Sequence, residues 1–232
     1  MDNEINNKII NGKEIANNII NDIDQQINNI VTNNKYKYNK YSVNKPRLSI
    51  IYIGNIQQSL VYINKKREIC DKIGINTMVY NTMVYNFNND VDINIILNLI
   101  DRLNNDILIN GILLQLPIPE HLNNEILFNK IAKQKDIDGL HIENIGKLAS
   151  NNRTPLFIPC TALACMEIFK YENIDLQGKN VVIIGKSDIV GLPISLLLLK
   201  NNATVTVCHI DTKIENLIYN CKNADIVIAA CG

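Results

Sequence analysis

The stretch Asn180-Val-Val-Ile-Ile-Gly-Lys-Ser-Asp-Ile-Val-Gly-Leu-Pro193 constrains the fold most. Residues 181–184 form a short, β-branched apolar run, the pattern of a buried strand. Gly185 ends it, Ser187 and Gly191 follow, and the apolar segment 194–199 has the length and composition of a helix. Strand, tight glycine turn and helix make the first half of a βαβ unit. Such a turn brings phosphates to backbone N–H groups at the positive end of the helix. The spacing is Gly-x-Ser-x-x-x-Gly-x-Pro rather than Gly-x-Gly-x-x-Gly. The pattern alone therefore fits two readings, a dinucleotide-binding turn and an ordinary αβ turn.

Charge and composition exclude several classes. Lys plus Arg total 23 and Asp plus Glu total 23, so the formal net charge is zero. No basic stripe argues for nucleic acid, and no apolar run reaches membrane-spanning length. The first residues are acidic and Asn-rich, with neither the basic-then-apolar order of a secretory signal nor an Arg-rich transit helix, so a cytoplasmic protein is expected. Six cysteines stand at 70, 160, 165, 208, 221 and 231, with no Cys-x-x-Cys pair, and read as reduced, mostly buried thiols. Three histidines are too few for a metal cluster, and no metal is expected. Asn and Ile are abundant throughout, a compositional drift rather than a functional tract. Because Asn dilutes helix propensity, pattern outranks propensity here.

In chain order, residues 1–7 read as a frayed end. Ile15, Ile19, Ile23, Ile27 and Ile30 recur every three or four residues, as in an amphipathic helix with one buried stripe. The polar stretch 32–46 alternates Tyr with Lys and reads as a solvated loop. Strands are expected at 48–53, 75–80 and 112–116, and helices at 59–73, 91–103 and 122–132, with Ser59 as a helix cap and a turn at 86–90. Tyr62 and Lys66 are four apart and share a helical face. They are either a surface pair or, if Lys66 is partly buried with a lowered pKa, a proton-transfer site. Gln115 interrupts an apolar strand near its C-terminal end, where parallel α/β domains bind ligands. A polar group there must find a partner. In Lys135-Asp-Ile-Asp-Gly139 two carboxylates flank Ile137, and either caps a turn or serves a site. Residues 144–158 read as a connector with a short helical piece. Thr161 is a candidate N-cap for a helix over 163–169. A second domain follows, with strands at 181–184, 203–208 and 224–230 and helices at 192–200 and 216–221.

At this point the motifs resemble those of the bifunctional methylenetetrahydrofolate dehydrogenase/methenyltetrahydrofolate cyclohydrolase family. The resemblance runs from about Lys8 to Gly232. It rests on Ser59-Leu-Val-Tyr62 with Lys66 and Cys70, on Gly111-Ile-Leu-Leu-Gln-Leu-Pro-Ile-Pro119, and on Lys135-Asp-Ile-Asp-Gly-Leu-His141. Pro159-Cys-Thr161 and Gly185-x-Ser187-x-x-Val190-Gly191-x-Pro193 complete the set, in the family's order. The resemblance implies two α/β domains around a cleft. Residues 1–155 would be the catalytic folate-binding domain, and 156–232 a truncated, Rossmann-like NAD(P)-binding domain. It implies oxidation of 5,10-methylenetetrahydrofolate to the methenyl form, then hydrolysis to 10-formyltetrahydrofolate, in a homodimer serving one-carbon metabolism and purine biosynthesis. Lys66 would transfer the proton for ring opening, and Tyr62 would pack over the folate. Gln115 would hydrogen-bond Lys66 and favour its useful protonation state, and Asp138 would accept from the pterin. The cofactor would lie on Gly185, Lys186, Ser187, Val190, Gly191, Pro193, His209, Ile210 and Asp211.

Departures from the family pattern set the open questions. Ala162 and Ala164 replace the family's Pro and Gly. Lys186 stands where NADP-using members often carry Arg, and His209-Ile-Asp211 where they carry His-Ser-Lys or similar. Lys186 can meet a 2′-phosphate as a point charge. Asp211 would repel that phosphate if it pointed inward. NADP is favoured, and NAD stays open. The family continues past the position of Gly232, with further strands, a folate- and cofactor-touching loop and a last helix. The chain is read as an incomplete copy of a normal enzyme, the alternative being a catalytically impaired folate- or nucleotide-binding relative.

Overall fold

The computed structural model describes residues 9–35, 45–54, 56–81, 92–122 and 124–231. The frayed end at 1–7, most of the Tyr/Lys loop and the turn at 86–90 lie outside the described residues. Backbone contacts divide the chain into two compact units, Met1–Leu122 and Asn123–Gly232.

The first unit is built on a three-stranded parallel sheet in the order β2-β1-β3. The strands are β1 (Arg47–Tyr52), β2 (Asn76–Asn81) and β3 (Gly111–Leu114). Central β1 aligns Ile50 with Val79 on one side and Leu113 on the other. Its Ile50 and Ile51 are wholly buried, as a strand covered on both faces requires. Among the described residues its helices are α1 (Gly12–Lys35), α2 (Gln57–Lys72) and α3 (Ile93–Asn105). On α3, Ile96, Leu99, Ile100 and Leu103 recur at helical spacing and are all buried. Asp92 caps it by accepting from the Asn94 N–H at 2.9 Å.

Three local expectations are corrected here. Helix α2 begins two residues before Ser59, with Ile56 at its cap position and no side-chain cap. Ser59 is buried inside the first turn and spends its hydroxyl elsewhere, on the Leu116 carbonyl. Gln115 lies just past the end of β3, not within it. The isoleucine stripe of α1 is buried only at Ile15 and Ile27, whereas Ile19, Ile23 and Ile30 are 36, 37 and 53 % exposed. Spacing puts side chains on one face but does not supply the surface that covers it.

The second unit carries another parallel sheet, ordered β5-β4-β6, from β4 (Asn180–Ile184), β5 (Thr204–Cys208) and β6 (Ile226–Ala229). Its helices are α4 (Asn124–Lys130), α5 (Ile142–Ala149), α6 (Cys160–Tyr171), α7 (Gly191–Lys200) and α8 (Ile214–Lys222). One buried cluster joins Leu148 of α5, Ala162 and Phe169 of α6, Val181 and Ile183 of β4, and Ile194 and Leu198 of α7. Ala162 fills its place in that cluster with no exposed surface. Lys200 Nζ donates to the carbonyls of Lys147 and Arg153 at 3.3 and 3.0 Å. These contacts tie 147–153 to α7; the compact division falls at 122/123, while the expected domain boundary lies at 155/156.

Two further details matter. Pro159 occupies the cap position of α6 and the Leu163 N–H closes on its carbonyl at 3.0 Å, so Thr161 lies inside the helix and is not its cap. Asn173 and Asn202, just beyond α6 and α7, adopt left-handed φ of 54° and 60°. Asn tolerates that region through its short polar side chain.

Candidate active site

In the first unit, Ser59, Tyr62 and Lys66 share one face of α2 at three- and four-residue spacing. Tyr62 is 60 % exposed and open to a ligand. Lys66 Nζ donates to Gln115 Oε1 at 3.1 Å. Gln115 is buried, its backbone N–H is held by the Ile51 carbonyl at 2.9 Å, and its Nε2 donates to the Leu116 carbonyl at 2.7 Å. That second bond decides which end of the amide faces Lys66: the nitrogen is engaged, so the oxygen is presented. Ser59 Oγ donates to the same Leu116 carbonyl at 3.3 Å, docking the first turn of α2 on the end of β3. In sequence Ser59 reads as a cap. Its place on the Tyr62/Lys66 face was the available signal. Cys70, one turn beyond Lys66, has its thiol pKa pushed up by burial and by the Asp71 charge, with Lys66 acting in the opposite direction.

In the second unit, the two carboxylates around Ile137 separate by role. Asp136 is 2 % exposed and accepts from the Leu140 and His141 N–H groups at 3.3 and 2.9 Å and from Asn144 Nδ2 at 2.9 Å. It is the turn-holding carboxylate. Asp138 is half-buried, and Cys160 Sγ lies 3.7 Å from its Oδ1 and 3.6 Å from the Ile137 carbonyl. Gly139 sits at φ +69°, and a Cβ there would stand 2.7 Å from the Ile158 carbonyl carbon. Only glycine lets the two chain segments meet so closely.

The glycine turn after β4 is equally tight. Gly185 has φ +122°, and a Cβ on it would collide with the Ala230 carbonyl, while one on Gly191 would collide with the Gly185 carbonyl. Ser187 Oγ accepts from the Val190 and Gly191 N–H groups at 3.3 and 3.5 Å. Both bonds are long, so an anion can compete for these donors at the start of α7. Pro193 is buried in the first turn of that helix, where its missing N–H is not needed. A cavity of about 590 Å³ opens beside the turn, lined by Gly185, Lys186, His209, Ile210, Thr212 and Cys231 among others. Its Gly185 floor and flanking Lys186 fit a nucleotide phosphate, whereas Ser187 lines a separate cavity of about 600 Å³ and Val190, Gly191 and Pro193 line neither. Asp211 is also among the expected cofactor residues. Its side chain is 75 % exposed, it does not line the cavity, and its Oδ2 lies 3.3 Å from His209 Nδ1. The Asp211 N–H also points at Nδ1, at 3.3 Å. The two contacts are alternatives, the first needing a protonated Nδ1 and the second its lone pair. Among the described residues no cluster of His, Cys, Asp and Glu could hold a metal ion, and no helix is long and apolar enough to cross a membrane.

Comparison with known proteins matches both halves. The family described as tetrahydrofolate dehydrogenase/cyclohydrolase, catalytic domain, matches residues 10–138, and its NAD(P)-binding domain matches 159–232. The bifunctional protein FolD 2 of Arabidopsis thaliana is 39 % identical over 97 % of this chain and 70 % of its own length. The chain belongs to the tetrahydrofolate dehydrogenase/cyclohydrolase family. Solved structures agree with that membership. The bifunctional FolD enzyme of Campylobacter jejuni superposes with a TM-score of 0.82 at 34 % identity, covering 95 % of this chain and 72 % of that one. The Trypanosoma brucei FolD, complexed with NADP cofactor and inhibitor, gives 0.85 at 30 % identity, covering 97 % and 71 %. The family's catalytic match spans Tyr62, Lys66, Gln115 and Asp138, and its NAD(P)-binding match spans the Gly185–Asp211 region.

Proposed function

We propose that this protein oxidises 5,10-methylenetetrahydrofolate to 5,10-methenyltetrahydrofolate with a nicotinamide cofactor, and hydrolyses the product to 10-formyltetrahydrofolate. The observation that carries the reading is the Lys66–Gln115 bond of 3.1 Å beside an exposed Tyr62. When bound, the nicotinamide supplies the hydride acceptor. No acid–base residue is required for that step. Ring opening does require one. Water adds to the carbon bridging N5 and N10, the carbon–N5 bond breaks, N5 gains a proton and the formyl group stays on N10. Lys66 takes one proton of the attacking water and returns one to N5, and the second water proton leaves to solvent as the formyl C=O forms. Gln115 aims Nζ through a fixed acceptor, Tyr62 supplies an aromatic face, and Asp138 accepts from the pterin's N–H groups.

The cofactor is read as NADP. Lys186 lines the cavity and can meet a 2′-phosphate, whereas Asp211 does not line it. The NADP complex of the Trypanosoma brucei relative supports the same reading. Residues 156–232 are read as the nucleotide-binding domain and 1–155 as the folate-binding one, in a homodimer.

The test is turnover of methylenetetrahydrofolate with NADP and with NAD, followed by the absorbance of the methenyl product. Lys66→Ala should abolish ring opening while hydride transfer partly survives. Undiminished cyclohydrolase activity in that variant would overturn the role given to Lys66.

A further inference from the structure

Asp136 is the only carboxylate among the buried described residues, and Asn144 beside it is 1 % exposed. Neither is among the residues expected to touch folate or cofactor. Asn144 Nδ2 donates to Asp136 Oδ2 at 2.9 Å, and its Oδ1 accepts from the Leu156 N–H at 3.2 Å. Four residues after Leu156, Cys160 reaches back with its thiol to Asp138 Oδ1 at 3.7 Å. The chain of contacts is closed: Asp136, Asn144, Leu156, then along the backbone to Cys160, and on to Asp138. Inside this ring Gly139 lies against the backbone of Phe157, Ile158 and Pro159. Asp136 also gathers the Leu140 and His141 N–H groups, so the turn that carries Asp138 is held from both sides.

We propose that Asp136 and Asn144 are positioning residues for Asp138, fixing its carboxylate for the pterin by pinning the 136–141 turn to the 155–160 segment. The inference rests on the reading that Asp138 receives the pterin. A buried carboxylate that accepts three N–H groups is rigid. An amide that bridges it to a second segment transmits that rigidity across a chain separation no local turn would span. Removing the Asn144 amide leaves an Asp136 lone pair and the Leu156 N–H unpartnered, which allows the two segments to slide.

The experiment is Asn144→Ala, assayed well below its unfolding temperature in the full chain. The KM for methylenetetrahydrofolate should rise about tenfold while kcat stays within about threefold and the nucleotide KM is unchanged. Asn144→Ser, which keeps a small polar group at the buried position but not the bridging amide, covers the case in which the alanine variant does not fold, and should show the same split. An unchanged folate KM in a folded variant, or a fall in kcat alone, overturns the proposal. A crystal structure of the variant reads the ring without reference to activity. Asp138 displaced from Cys160 supports the proposal, and Asp138 unmoved overturns it. If the wild-type protein itself fails to turn over methylenetetrahydrofolate, the functional reading falls, and the variant's crystal structure still decides the positioning role.

Discussion

Lys66 Nζ stands 3.1 Å from Gln115 Oε1, and the other end of that amide is committed to the Leu116 carbonyl at 2.7 Å. The acceptor that faces the lysine is thus set by the backbone at the end of β3, and Ser59 braces the same carbonyl. A mobile lysine on an open helix face becomes an aimed one. Gln115→Ala should lower the rate of ring opening about a hundredfold, the scale on which a misplaced proton-transfer group reduces rate. Hydride transfer should change far less. Stopped assays of the two half-reactions check this, and equal losses in both would argue against an orienting role.

Cys70 offers a probe of the same lysine. Burial pushes its thiol pKa up and the Lys66 charge pulls it down. Alkylation by iodoacetamide should follow a thiolate midpoint above that of a free cysteine peptide. In Lys66→Met the midpoint should move higher still, because the one lowering influence is gone. A midpoint that falls in the variant contradicts the pairing.

The same shift bears on stability. Burial raises the thiol pKa of both Cys70 and Cys165 in the folded chain. The folded state then holds these protons more tightly than the unfolded state does. Their contribution is complete below the unfolded thiol pKa and is lost as pH rises through the folded value. Melting temperature should therefore decline above about pH 8.5, the ordinary thiol range, and decline less in Cys70→Ala, Cys165→Ala. A pH series of thermal melts decides it.

Ser49 lies in β1 with no exposed surface, and its Oγ has no hydrogen-bond partner among the described residues. A buried hydroxyl without a partner loses its hydration with nothing in return. Ser49→Ala should be neutral or stabilising by up to about 1 kcal/mol, where a typical buried serine would lose as much. Chemical denaturation of both proteins reads the sign.

Gly185→Ala tests the nucleotide turn. The added methyl would meet the Ala230 carbonyl, and φ +122° disfavours any Cβ. Strain and overlap together should destabilise by about 3 kcal/mol or more and weaken nucleotide binding. Calorimetric titration with NADP and a thermal melt measure the two effects.

Sequence and structure agree most closely where a motif carries its own geometry. The β4 run, its glycine turn and α7 were legible because apolar period and glycine placement are local properties. The Tyr62/Lys66 face was legible for the same reason. Asp136 and Asp138 could not be told apart by spacing, since their roles depend on Asn144 and Cys160, which lie further along the chain. Ser59 and Thr161 look like caps in sequence, yet their helices start earlier, under backbone influence alone.

The two asparagines at left-handed φ, Asn173 and Asn202, bear on how such a sequence evolves. Glycine is the usual occupant of that conformation, and asparagine is the non-glycine residue that enters it with least strain. A lineage drifting toward asparagine can therefore exchange glycine at helix ends almost neutrally, and each exchange removes backbone freedom from the unfolded chain. The same drift has no such outlet at Gly139, Gly185 or Gly191, where any side chain meets backbone atoms. Mutational pressure thus meets two kinds of glycine: those such as Gly54 and Gly178, with open space around an added Cβ, and Gly139, Gly185 and Gly191, where the backbone itself forms the expected site.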